Sequence, residues 1–340
     1  MSEIYIPLHC HSDFSVADAL LSIDEYIAWL KENKIPTAAL TDHGSMSGAM
    51  YFNQKCLQAG IKPIMGIEAY TMFKGEFKVK DEETDDEYKY DHFLMLAKNK
   101  KGYHQLLKLL GKAMKESFRY KPIIFYEDIL SSEDIICSTA CLSGRVQKLV
   151  VKGKYDEAEK FIKTIHEKFK DDFYLECMEN DIEDQRTVNK WVVENHKRLG
   201  MKAVWTTDTH YLNPQDNTAH DVLKLNLAKA SFSDVTPEKK HGVYTSRNLS
   251  LKKREELVVE MGMSGINKEV ADVLIDETLR IAEKCESYSL KSKEVFMPSF
   301  GDNSYNILKQ KVVDSLNAKG YQKCERRKEY IERVSHELKV

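Results

Sequence analysis

The chain has 340 residues and a mass of 39.3 kDa, room for about two domains or for one α/β barrel with an appendage. With 31% charged and 42% hydrophobic residues it has a globular make-up, which excludes a disordered chain. Its net charge of −3 excludes nucleic-acid binding by a uniformly basic surface, so any such binding must be local. No apolar run approaches the roughly 18 residues of a membrane helix, and MSEIYIPLHC lacks the basic start of an export signal, so a cytoplasmic chain is expected. The 7 cysteines are scattered without a Cys-x-x-Cys pair and read as reduced thiols, not as a disulfide framework or a zinc ribbon.

In chain order, 4–9 predicts a strand and 23–34 a helix with apolar spacing at Ile23, Tyr26, Ile27 and Leu30. A second strand is expected over 36–43, a helix over 45–60 closed by Gly60, a third strand over 61–72 and a fourth over 92–98. A helix over 102–118, a strand over 135–140 and helices over 142–151 and 155–169 follow. Next come a strand over 173–178, a helix over 184–199 and a strand over 202–207. Repeated strand–helix units point to a mostly parallel sheet, either doubly wound or closed into a barrel. No phosphate-loop glycine pattern follows a strand, which weighs against a nucleotide-binding doubly wound fold. Residues 76–91 carry eight acids against three lysines and read as a surface excursion. Past about 212 the pattern changes to a loop over 233–247, helices over 250–261 and 267–286, a linker over 297–304, and helices over 303–318 and 325–338.

The metal-capable side chains gather at strand ends. His9 and His11 end the first strand, and alternate residues of extended chain point to one side. Asp18 follows in the next loop, Asp42 and His43 end the second strand, and Glu68 lies in the third. Cys141 follows the strand over 135–140, and Asp208 and His210 follow the last. In an α/β barrel these positions converge on one rim. His92 precedes its strand, which fits if that strand runs antiparallel to its neighbours. Each residue alone has a bland reading as a turn, cap or packing residue; their joint placement does not. Five histidines, three carboxylates and one thiolate suffice for two or three divalent ions, with zinc suited to mixed N, O and S ligands and manganese or iron as alternatives. Such clusters activate water and hold both oxygens of a phosphoester displacement, so phosphoester hydrolysis is the reaction class indicated. The other six histidines, at 104, 166, 196, 220, 241 and 336, read as structural or solvated.

The strings PLHCHSDFSVADAL, ALTDHGSMSGA, GIKPIMGIEAY, HFLMLAKN, STACLSG and TTDTHYL resemble the PHP (polymerase and histidinol phosphatase) domain. More narrowly they resemble the PHP domain at the N-terminus of bacterial DNA polymerase III alpha subunits. The likeness continues through YTSRNLSLKKREELVVEM, FMPSF and EYIERVSHELKV. The resemblance implies a distorted (β/α)7 TIM-like barrel with a C-terminal helical extension and three divalent metal ions, zinc or manganese first and iron as an alternative. Its metal ligands would be His9, His11, Asp18, His43, Glu68, His92, Cys141, Asp208 and His210. His9, His11, Glu68 and Asp208 would hold one ion and serve catalysis, with Glu68 bridging to a second beside His92 and Cys141. Asp18, His43 and His210 would hold the third, and Asp42 would orient a neighbouring histidine. Ala19 stands where the family usually has glycine, and Arg145 where an acidic residue is common.

The implied activity is metal-dependent phosphodiester cleavage, a 3′→5′ exonuclease on single-stranded DNA ends. The alternatives are a structural metal module docking a polymerase and a small-molecule phosphatase of the histidinol type. Implied partners are DNA, a polymerase palm and other replisome subunits, in a bacterial cell or a phage-infected host. No paired-aspartate palm motif is present, which fits an excised piece, a split gene product or a free-standing phage-type protein. The expected division is a barrel over 1–232, a helical extension packed on it over 233–296, and a linker with helices over 297–340. For DNA, residues 98–121 carry eight Lys and Arg against one glutamate. Lys108, Lys112, Lys115 and Arg119 would share one helix face opposite Leu106, Leu109, Leu110, Ala113 and Met114. Tyr103, Phe118 and Tyr120 would stack on bases, and Arg145 would add a phosphate contact. The competing reading is a solvated basic face. Tyr330, Ile331, Val334 and Leu338 would form an apolar docking stripe.

Overall fold

The computed structural model describes residues 4–77, 90–234, 246–291 and 301–339. Its strands are β1 (Thr37–Leu40), β2 (Lys62–Met72), β3 (Asp91–Ala97), β4 (Phe118–Arg119), β5 (Lys121–Phe125), β6 (Ile135–Ser138), β7 (Phe173–Met178) and β8 (Lys202–Thr206). They form one eight-stranded sheet in the order β4-β5-β2-β3-β6-β7-β8, with β1 paired to β2 off this path. The eleven-residue β2 is its spine: it pairs parallel with β1 through Lys62–Met65, antiparallel with β3 through Gly66–Thr71, and parallel with β5 through Tyr70–Met72.

The sheet closes through the N-terminal segment. Ala39 N donates to Pro7 O and Thr41 N to Cys10 O, each at 2.9 Å. On the other side His11 N donates to Thr209 O at 2.8 Å and Thr209 N to His9 O at 3.2 Å. The ring therefore has seven staves: the extended segment, β1, β2, β3, β6, β7 and β8. This is a distorted (β/α)7 barrel. Two features distort it. The first stave makes only sparse ladder bonds, because Pro7 has no N–H to give. β3 runs antiparallel to both β2 and β6, so His92 at its start reaches the rim where the other strands end.

Helices α1 (Ile23–Glu32), α2 (Ala49–Gln58), α3 (Lys100–Glu116), α4 (Tyr126–Leu130), α5 (Arg145–Val151), α6 (Tyr155–Phe169), α7 (Glu183–Asn195) and α8 (Asn217–Leu227) follow in chain order. Helix α1 starts where Ser22 and Glu25 form a reciprocal capping box, and it buries the Ile23, Tyr26, Ile27 and Leu30 stripe read from the sequence. The helix expected from 45 begins instead at Ala49, because residues 43–48 form a loop in which Gly44 (φ +53°) packs under the Tyr70 ring. The β4–β5 hairpin, α4 and α8 are additional to the expected elements.

Helices α9 (Arg254–Met263) and α10 (Lys268–Glu283) belong to the same compact unit as the barrel, which extends to Lys291. Helix α10 covers the end where the staves begin: Thr278 Oγ1 accepts from Ile6 N at 3.2 Å, and Lys62 Nζ donates to Ala282 O at 2.6 Å. Arg254 ties the two helices through Asp272 and Asp276, both at 2.7 Å. A second unit contains α11 (Ser304–Ala318) and α12 (Arg327–Glu337), joined by the turn Tyr321–Lys323. Tyr330, Ile331, Val334 and Leu338 line a groove there with Val312, Val313 and Leu316. Most of the acidic excursion over 76–91 and of the loop over 233–247, and half of the linker over 297–304, lie outside the described residues.

Candidate metal centre

The strand register brings the predicted ligands together. His43 sits just past β1 in a parallel bridge to Glu68 of β2, and Leu94, two residues beyond His92 on β3, stands across from Glu68. The first stave lies beside the segment after β8, which brings His9 and His11 to Asp208 and His210. Asp208 holds a left-handed backbone (φ +47°), which turns its carboxylate back over the rim.

Glu68 is the centre of the cluster and is fully buried. Its Oε2 lies 2.7 Å from His43 Nδ1, 3.3 Å from His11 Nε2 and 3.4 Å from His9 Nε2, while Oε1 lies 3.1 Å from His92 Nδ1. Asp208 Oδ1 lies 3.1 Å from His11 Nε2 and 3.2 Å from His9 Nε2. Asp18 Oδ2 lies 2.9 Å from His43 Nε2 and 3.3 Å from His210 Nε2. Cys141 Sγ lies 3.5 Å from His92 Nδ1. Among the described residues three overlapping groups have ligand atoms close enough to share an ion: His9, His11, Glu68 and Asp208; His43, Glu68 and His92; and His11, His43 and His210. Cys141 and Asp18 flank the second and third groups without completing them.

The donors fit divalent cations. His9 Nε2, His43 Nδ1 and Glu68 Oε2 are buried, face one another and make no hydrogen bond among the described residues. Inward lone pairs of this kind are costly unless a cation or protons lie between them. Protons fill that role in the metal-free chain. Burial would push His9 down, but Glu176, Glu68 and Asp208 outweigh it and raise it well above its ordinary value. Burial likewise opposes the charge on His43, yet Glu68 and Asp18 lift it to about 9. Glu68 is held well below the carboxylate range by His43, His92 and His9 against burial, and Asp208 is lowered by His9 and His210. His92 is lowered by burial. The Cys141 thiol is pushed well up, first by burial and then by the Glu68 and Asp208 charges, so it keeps its proton until a cation lies beside it.

Several supporting residues carry no signal in the sequence. Glu176, inside β7 and fully buried, accepts from His9 Nδ1 at 2.6 Å and is held by Thr206 Oγ1 and Ser138 Oγ. It thereby fixes the His9 tautomer with Nε2 turned inward. His210 Nδ1 donates to the Asp208 carbonyl at 2.7 Å with the same effect. Asp42 reaches the histidines through two serines. It accepts from Ser12 N at 2.7 Å and from Ser15 Oγ at 3.0 Å, and Ser15 in turn meets His43 N at 3.0 Å and His11 Nδ1 at 3.4 Å. From α8, His220 Nε2 donates to the Asp18 carbonyl at 2.6 Å and Lys224 Nζ pairs with Asp18 Oδ1. Burial holds His220 down to about 4, so it is neutral.

The DNA-contact expectations are changed in part. Lys108, Lys112 and Lys115 are exposed on α3, but Lys112 is paired with Asp128 at 2.9 Å, and Arg119 stacks 5.3 Å from the Phe77 ring. Arg145 is engaged elsewhere: it binds Asp91 at 2.6 Å and Glu76 at 2.5 Å and packs over Phe73. Its guanidinium fork is filled by carboxylates, so it is a clamp on the start of β3 and not a phosphate contact. Tyr103 is buried, whereas Met114, expected inside, is exposed. Phe118 is exposed, and Tyr120, 87% exposed at φ +55°, is the single residue at the tip of the β4–β5 hairpin. Next to it, Lys121 Nζ lies 5.0 Å over the Tyr70 ring, and Tyr70 is 5.3 Å from His92 and 6.0 Å from His43.

Comparison with known proteins gives three kinds of match. The PHP domain family matches residues 7–180. The DNA polymerase III subunit alpha of Borreliella burgdorferi is 34% identical over 298 residues, covering 87% of this chain and 25% of that protein. That of Aquifex aeolicus is 31% identical over 352 residues, covering 100% of this chain and 30% of that protein. This chain thus spans between a quarter and a third of these relatives. Among solved structures, a two-domain Bacteroides vulgatus protein described as containing a predicted PHP-like metal-dependent phosphoesterase aligns with a TM-score of 0.37 at 11% identity. That alignment covers 61% of this chain and 52% of that one.

Proposed function

The chain belongs to the PHP domain family, and from that premise we propose that it is a metal-dependent phosphodiesterase acting on DNA. In this reading it is the PHP module of a replicative polymerase alpha subunit and removes nucleotides from single-stranded 3′ ends. The observation that carries the reading is one fully buried carboxylate, Glu68, shared by two of three adjoining ligand groups at the barrel rim. Groups that share a ligand hold ions close together, the arrangement that phosphoryl chemistry uses to clamp attacking and leaving oxygens. Two or three divalent ions, zinc or manganese first and iron as the alternative, suit this set of imidazoles and carboxylates flanked by one thiol.

His9, His11, Glu68 and Asp208 would hold the first ion, and Glu68 with His43 and His92 the second, with Cys141 beside it. His11, His43 and His210 would hold the third with Asp18. Glu176 and the Asp208 carbonyl keep His9 and His210 with one nitrogen inward. Asp42, through Ser12 and Ser15, fixes the loop that carries His11 and Asp18. When bound, the ions would supply a hydroxide at neutral pH and neutralise the phosphate. The exposed Tyr120 tip, with Lys121 and Tyr70 leading toward His43 and His92, suits a single strand, whose unstacked bases offer faces to aromatic rings and whose phosphates seek cations. Lys108 and Lys115 would add long-range attraction.

The test is digestion of matched single strands labelled at the 3′ or 5′ end, with metal content measured on the same sample. Early release of the 3′ label, abolished in Asp208→Asn, is expected. Stoichiometric metal with both labels retained would leave a structural metal module as the correct reading.

A further inference from the structure

The three ligand groups are not equal in charge. Two contain carboxylates, Glu68 with or without Asp208, whereas the third is made of imidazoles alone: His11, His43 and His210. The carboxylate that faces His43 and His210 together is Asp18, through Oδ2. Its other oxygen, Oδ1, is held by the ammonium of Lys224, and both side chains are mostly shielded from solvent at 14% and 15% exposure. His220, four residues before Lys224 on the same face of α8, donates to the Asp18 carbonyl at 2.6 Å. Helix α8 therefore grips Asp18 at both its backbone and its side chain. It lies outside the segment matched by the family, which ends at residue 180.

An ammonium held against Asp18 supplies one positive charge on the carboxylate that a third divalent ion would need. That ion must compete with Lys224, whereas among the described residues the ion pairs of Glu68 and Asp208 are with histidines. A lysine is also a point charge on a flexible stem, with three donors and no acceptor, so it can exchange one anion for another. A phosphate arriving at the rim is such an alternative partner.

Building on the proposed phosphodiesterase reading, we propose that Lys224 makes the third cation position conditional on a bound phosphate. Without phosphate, Lys224 holds Asp18 and the chain binds two divalent ions tightly. A phosphate group draws the ammonium off Asp18, frees the carboxylate, and completes the third position only when a strand is in place. Lys224 is thus a positioning residue that acts through Asp18.

The experiment is a manganese titration of metal-stripped protein followed by the electron paramagnetic resonance of free Mn2+, with and without inorganic phosphate. For the native chain without phosphate, two tight equivalents and a third about ten- to a hundredfold weaker are expected, the range by which ligand-supporting contacts change affinity. Phosphate should narrow that gap. In Lys224→Met and Lys224→Gln the third equivalent should tighten without phosphate and respond little to it, while Lys224→Arg should keep the native pattern. Three equal equivalents in the phosphate-free native chain, or an unchanged gap in both neutral variants, would overturn the proposal and leave the phosphodiesterase reading standing. No manganese bound by the native chain would overturn both.

Discussion

Replacing Glu176 with glutamine removes a negative charge from behind His9 while keeping the shape of the side chain. Glu176 is fully buried and receives three donors: His9 Nδ1 at 2.6 Å and the hydroxyls of Thr206 and Ser138. The glutamine oxygen can still accept from His9, and a hydroxyl can turn to accept from the new amide, so the fold should survive. What is lost is charge assistance. A hydrogen bond to a charged group contributes about 1.5–3 kcal/mol and a neutral one about 0.5–1.5, so the change costs roughly 1–2 kcal/mol. Losing a ligand-orienting partner lowers metal affinity about 10–100-fold, which is about 1.4–2.7 kcal/mol, and the two estimates overlap. Chelator-competition titration with zinc should therefore show the tightest equivalent weakened at least about tenfold in Glu176→Gln. In a His9→Ala background the same substitution should have little further effect, because its target is gone. An affinity within about twofold of native, or an equal loss in both backgrounds, would refute the reasoning.

Metal binding should release protons. His43, lifted to about 9, and His9, raised well above its ordinary value, both carry protons at pH 7 in the metal-free chain and must lose them to become ligands. Apparent metal affinity should climb from pH 7 to about pH 9, and calorimetry in buffers of different ionisation enthalpy should count proton release; a flat pH profile would contradict this. The sign for the metal-free fold is the reverse: the stabilisation from His43 is complete below about pH 6.5 and fades as pH rises through about 9. At the hairpin tip, Tyr120→Ala should weaken binding of a fluorescent oligothymidylate by about 1–3 kcal/mol, while Tyr120→Phe should keep it. Equal anisotropy titrations for native and Tyr120→Ala would remove that tip from the strand path.

The ligands were legible because chemistry and position coincide: His9, His11, His43, Asp208 and His210 are polar residues at the ends of apolar runs. A barrel turns such ends into one rim. The antiparallel β3 was legible too, since His92 reaches that rim only if its strand is reversed. Glu176 was not, because all of β7 is buried and an acid within it breaks no alternation. Its partners, Ser138 and Thr206, come from two other strands. His220 and Lys224 stayed hidden because α8 lacks a side-chain cap and its residues do not stand at the end of an apolar strand. The β4–β5 hairpin turns at Tyr120 without the glycine or asparagine that announces a tight turn. Arg145 looks available in the sequence because neither Glu76 nor Asp91 is near it there, yet both fill its guanidinium in the fold.

If the Glu68 cluster is a metal centre that breaks phosphodiester bonds, cleavage must follow metal loading. The most direct measurement adds zinc or manganese stepwise to metal-stripped protein and follows release of mononucleotide from a 3′-labelled single strand in the same samples. Expected are no release from stripped protein, release that grows as the first equivalents bind, and none at any loading in Asp208→Asn. Bound equivalents without release, or release that persists in stripped protein or in Asp208→Asn, would contradict that role.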